Sequence, residues 1–139
     1  MLLAVPLLIL PLIAYNLVVN GAVAAGGVDA LGAAFLGLDM MSGARFTLDL
    51  GDALVLFGVA LLFVEILKAT RTGAGSIADH LLSTALFIAY LVEFLMVEAA
   101  ATSTFFILMV LSLVDVAAGY SVTIRSARRD FAVGPGGAL

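Results

Sequence analysis

The sequence predicts an all-α fold, an integral membrane four-helix bundle with a partly interfacial outer loop or short helix between helices 1 and 2. Three observations predict it. Hydrophobic residues make up 64% of the 139 and charged residues 12%, against about 45–50% and about 25% in soluble domains. Mean hydropathy is +1.26. The apolar residues also fall into four runs, each close to the roughly 20 residues a helix needs to cross the hydrocarbon core. A soluble globular domain is excluded, and one transmembrane domain covering 1–139 is expected.

The first run extends from Met1 to about Val19 and contains Pro6, Pro11, Tyr15 and Asn16. No basic stretch precedes it, and it exceeds the 7–15 residues of a signal-peptide core, so an uncleaved helix is expected despite the small residues Ala22-Val23-Ala24. Pro11 has no amide to offer the Leu7 carbonyl, which predicts a mild kink repaired by the hydroxyl of Ser83, Thr84 or Ser112 from another helix, or else a hinge. The connection 20–49 is too apolar for a solvated loop. Val28 to Met41 is expected as a short helix lying in the outer interface. Arg45-Phe-Thr-Leu-Asp-Leu50 alternates like a strand, but one short run makes no sheet.

The second run covers about 50–68, with Asp49 and Asp52 spaced to cap its amide end. The third covers about 77–100, and Ser76-Ile-Ala-Asp79 before it matches a capping box. The fourth covers about 104–124, capped by Thr102 or Ser103, and leads into a tail, 125–139, that carries Arg125, Arg128 and Arg129. Gly134-Pro-Gly-Gly ends regular structure.

Of six basic residues, Lys68 and Arg71 lie between runs two and three, Arg125, Arg128 and Arg129 follow run four, and only Arg45 falls elsewhere. Cytoplasmic loops carry the excess of Lys and Arg, so both termini are expected to be cytoplasmic in an inner (plasma) membrane, with the 20–49 connection outside. The five clustered cations are expected to anchor the chain to anionic headgroups.

Acids within spanning runs are the informative residues, because such groups are costly and face the bundle interior. Asp115 placed centrally costs about 2.5–3.5 kcal/mol, which about ten apolar neighbours returning about 0.3–0.6 kcal/mol each offset. Counted along the helices at 1.5 Å per residue, Asp115 and Glu65 share one level, while Glu93 lies near Asn16 and Tyr15. Two polar layers are therefore expected. Ser112 and Gly119 flank Asp115 on one small, polar helix face suited to close packing, and the Tyr90 phenol is placed to reach Glu93. Two readings stand side by side for Glu93 and Asp115: interhelical hydrogen-bond glue, or a site that couples a proton or cation. Glu65 is explained by an ion pair with Lys68 three residues on. Glu98 reads as a solvated helix end, and His80 as an interfacial polar residue.

No cysteine and a single histidine exclude disulfides, thiolate metal sites and bis-histidine haem within one chain. The net charge of −4 argues against a nucleic-acid partner. Zinc-protease, nucleophile-elbow, P-loop and dinucleotide motifs are missing, so neither a catalytic residue, a metal site nor a cofactor is expected. The leading expectation is a non-catalytic accessory or assembly subunit that packs against other membrane helices. Its competitor is a homo-oligomeric channel or proton-coupled small transporter, and a lipid- or quinone-binding protein is a third class.

Overall fold

The computed structural model describes residues 5–70 and 76–132. Within them the chain is mostly helical: α1 (Ile9–Val19), α2 (Leu50–Ala69), α3 (Ser76–Met96) and α4 (Ser103–Ala132). Leu50–Ala69, Ile77–Met96 and Ser103–Arg125 are each long and apolar enough to cross a membrane. By contrast α1 has only 11 residues, a rise of about 16 Å.

The late start of α1 follows from its prolines. Pro11 is the third helical residue, where an amide has no intrahelical acceptor, so its missing N–H costs nothing. The Leu7 carbonyl accepts from the Leu10 amide at 3.0 Å, which overturns the expected kink and its repair from another helix. Of the hydroxyls expected to repair it, Thr84 donates to the His80 carbonyl and Ser112 Oγ is buried without a partner.

On α2 the buried residues are Gly51, Leu54, Gly58, Leu62 and Glu65, and on α4 they include Phe105, Leu108, Ser112 and Asp115. Spacings of three and four put each set on one helical face, and these faces meet: α4 packs on both α2 and α3 and is the central helix. Phe105 is its anchor, with its ring centroid 4.9 Å from Tyr15 of α1 and 5.4 Å from Tyr90 of α3. The approach of α2 depends on glycine. A Cβ on Gly58 would lie 2.8 Å from Leu108 Cδ2, and one on Gly51 2.7 Å from Thr104 Oγ1, the small-residue contact that lets helix backbones come close. The opposite faces expose large apolar side chains such as Phe63, Ile88 and Leu113.

Both caps expected from the sequence that fall on described side chains are present. Asp49 and Asp52 form a reciprocal capping box on α2, and Thr102 Oγ1 accepts from the Phe105 amide at 3.2 Å. The Ser76 half of the third cap lies outside the described side chains.

Between α1 and α2 the structure corrects the sequence reading. Only Gly27–Gly32 is helical, as a 3-10 turn, and Ala34–Asp39 is a strand, β1, paired antiparallel with β2 (Arg45–Asp49). The strand-like run at Arg45 finds its partner in the segment expected to be an interfacial helix. Gly43, with φ +83, supplies the left-handed residue that reverses the chain, and Met40 and Ala44 close the turn by a hydrogen bond of 2.8 Å. Beyond the fourth apolar run, α4 continues as helix through Arg125, Arg128 and Arg129 to Ala132. Residues 133–139 lie outside the described part.

Substituting Gly58→Leu forces α2 away from Leu108 and Leu111. It is expected to cost about 1–3 kcal/mol, read from denaturation in detergent, whereas Val59→Leu on the exposed face changes stability by less than about 0.5 kcal/mol.

Candidate functional site

Polar side chains gather at two levels of the bundle. At the hairpin end, Tyr15 is fully buried, and its hydroxyl donates to the Ala99 carbonyl at 2.7 Å and meets Thr102 Oγ1 at 2.6 Å. On the next residue of α1, Asn16 Nδ2 donates to Glu93 Oε1 at 2.7 Å and to the Leu12 carbonyl at 3.1 Å. The half-buried Glu93 therefore ties α3 to α1. Tyr90 does not join it: its hydroxyl donates to the Leu8 carbonyl at 2.8 Å, so the expected Tyr90–Glu93 bond is replaced by one to the first turn of α1. The side chain of a helical residue leans toward its own N-terminus, and for Tyr90 that direction leads down to Leu8.

At the opposite end, Glu65 is 4% exposed. Its Oε2 pairs with Lys68 Nζ at 3.0 Å, as the sequence spacing suggests, and its Oε1 also accepts from the Leu7 amide. Lys68 Nζ in turn donates to the Val5 carbonyl at 3.2 Å. One carboxylate and one ammonium thus grip the backbone leading into α1, and a carboxylate at a helix amide end is electrostatically favoured. Lys68 is largely enclosed, with 17% of its side chain exposed. Arg125 and Arg128 are exposed on α4, the Arg129 side chain lies outside the described part, and so does Arg71.

Beside this clamp lies a cavity of about 20 Å3, lined by Glu65, Lys68, Asp79, His80, Ser83 and Asp115, with Ala69 and Gly119 completing its wall. That is room for one water-sized group. Asp115 is 6% exposed, and its Oδ2 has no hydrogen-bond partner. Ser112, one turn earlier on the same face, is fully buried with Oγ equally unpartnered.

His80, expected from the sequence as an interfacial polar residue, is enclosed within the bundle at 8% exposed. Thr123 Oγ1 gives its only proton to the Gly119 carbonyl at 3.1 Å, so it meets His80 Nε2 as an acceptor. Nε2 therefore carries the ring hydrogen and Nδ1 keeps a lone pair. A Cβ on Gly119 would lie 2.6 Å from that Nδ1, so only glycine lets the ring seat against α4. Sequence reasoning missed His80 and Thr123 as members of these two levels. The i to i+4 spacing of Gly119 and Thr123 is the signal that was available. Among the described residues no group of three His, Cys, Asp or Glu is placed to hold a metal ion.

Removing the Glu65 carboxylate leaves the Leu7 amide and Lys68 without it, so Glu65→Ala is expected to lower stability by about 1–3 kcal/mol, measured by denaturation in detergent. The lone histidine gives a single pair of 15N ring signals, which are expected to report the Nε2–H tautomer and to shift in Gly119→Ala as the ring is pushed from α4. No family model, curated protein or solved structure matches the chain.

Proposed function

We propose that this chain is a polytopic inner-membrane protein that crosses four times, keeps both termini in the cytoplasm, and serves as a non-catalytic accessory or assembly subunit packed against other membrane helices. The fourth crossing is α1 together with the residues before it, since eleven helical residues alone fall short of the roughly 30 Å core. The clustering of Lys68 and Arg71 in sequence at and after the end of α2, and of arginines along the end of α4, supports the orientation.

One observation carries the subunit reading. The hairpin exposes apolar side chains along both strands and the turn: Phe35, Leu36, Leu38 and Phe46 on the strands, and Met40 and Met41 between them. An isolated two-stranded hairpin is marginal in water, and a contiguous exposed apolar patch marks an interaction surface. The hairpin stands at the end of the bundle where a partner's membrane helices or outer loops would cover it.

Gentle extraction followed by native mass spectrometry tests this. A foreign subunit at fixed stoichiometry is the expected result, and solute flux or substrate turnover by the purified chain alone overturns it. Phe35→Asp and Met41→Asp touch exposed positions, so stability is expected to change by less than about 0.5 kcal/mol while the partner is lost on co-purification.

The second reading, a homo-oligomeric channel or proton-coupled transporter, is favoured by the unpartnered Asp115 oxygen beside a cavity. A bare homo-oligomer supports it. Proton-coupled uptake that persists unchanged in Glu93→Gln and Asp115→Asn removes both acids from the mechanism.

A further inference from the structure

We propose that the cavity beside Asp115 is a binding site for a primary ammonium group. Four features of the cavity point to that chemistry. Its wall carries three carboxyl groups, Glu65 from α2, Asp79 from α3 and Asp115 from α4, against the single ammonium of Lys68. Lys68 is already engaged by Glu65 at 3.0 Å and by the Val5 carbonyl at 3.2 Å, so the excess of negative charge falls on the Asp115 side.

The second feature is the set of acceptors. Asp115 Oδ2 is buried and has no partner, Ser83 offers a hydroxyl oxygen on the same wall, and His80 Nδ1 keeps its lone pair because Nε2 is held by Thr123. Three acceptors on two helices match the three N–H donors of an ammonium. A charge-assisted hydrogen bond to the carboxylate is the strong member of the three.

Size is the third feature: about 20 Å3 admits a group the size of water or –NH3+ but not a trimethylated nitrogen, which also has no proton to donate. Among the described residues no three His, Cys, Asp or Glu side chains are placed to hold one metal ion together, so the carboxyl groups of this wall are too far apart to form a metal-ligand set. The fourth feature is position. The cavity lies at the last turn of α2 and the first two turns of α3, so if these helices span, it lies at headgroup level.

The shared chemistry has two sources, the free ion or a small amine on one hand and the headgroup of an aminophospholipid on the other. The unmodified full chain in detergent is heated in ammonium chloride, in methylammonium chloride and in tetramethylammonium chloride at equal ionic strength. A rise in apparent Tm of roughly 3 °C or more with the first two over the third is expected if the free group binds. In parallel the chain is reconstituted in nanodiscs of phosphatidylethanolamine or phosphatidylcholine, which differ at the ammonium alone. A rise confined to the phosphatidylethanolamine discs assigns the site to the lipid, and a rise in detergent salts alone assigns it to the free ion. Asp115→Asn, which keeps the shape and one acceptor, is expected to abolish whichever rise is seen. Equal Tm across all three salts and both lipids overturns the proposal, and so does a rise that persists in Asp115→Asn. The comparison of salts and lipids on the unmodified chain decides the matter even where that variant fails to fold.

Discussion

A carboxyl group removed from water needs donors where it lands, and in this chain that requirement locates α1. Glu65 finds its donors in the Leu7 amide and Lys68, and Glu93 finds its donor in Asn16. Both acids sit on long helices, and both reach α1 or the residues just before it. The shortest and least self-sufficient helix is thus fixed at its two ends by groups that would otherwise be costly to bury. Tyr15 and Tyr90 add backbone carbonyls to the same scheme: one bonds the connection after α3, the other the first turn of α1. Each of these bonds is modest by itself, about 0.5–1.5 kcal/mol net, but leaving any of these polar atoms unanswered in an apolar bundle costs more than forming the bond gains.

Apolar packing sets a second constraint. With large side chains exposed on the outer faces of α2, α3 and α4, burial of apolar surface within the chain is limited, and close backbone approach takes its place. Gly51 and Gly58 bring α2 to α4 at Thr104 and Leu108, and Gly119 brings α4 to the His80 ring of α3. Dispersion contacts reward such proximity where lipid removes the hydrophobic drive between helices. The central role of α4 follows: Gly119 on α4 accommodates α3, the two glycines of α2 accommodate α4, and Phe105 fills the space between α1 and α3.

The helical class, the extent of α2 and the start of α4 were legible from run length and capping residues, because Asp49, Asp52 and Thr102 act within one turn of their own helix and need no tertiary information, whereas α3 ends at Met96, short of the expected 100. The hairpin was not, because its signal is divided. Arg45 to Asp49 alternates visibly, but its partner, Ala34 to Asp39, reads as an apolar stretch equally suited to an interfacial helix, and only pairing distinguishes the two. Pro11 misled for a related reason: its cost depends on whether it stands in the first turn or the interior, and an apolar run that continues on both sides of the proline does not mark where α1 starts. The levels of the acids followed from a rise of 1.5 Å per residue, but their partners did not. Tyr90 turns to Leu8 and not to Glu93, and His80 is enclosed by Thr123, Gly119 and Tyr120, contacts between helices that no local spacing encodes.

The two ends of the molecule differ in what they leave unsatisfied, and that difference bears on its work. At the hairpin end the polar groups of Tyr15, Asn16, Glu93 and Thr102 answer one another, while the exposed surface is apolar. At the other end the surface carries cations, while the interior keeps an unpartnered Asp115 oxygen and a histidine lone pair. A partner that covers the hairpin would therefore be held by shape and apolar area, and a ligand at Asp115 by charge and hydrogen bonds. The two sites are also joined. α1 is clamped to α2 by Glu65 beside the cavity and to α3 by Glu93 near the hairpin end, so its position follows those helices rather than its own apolar length.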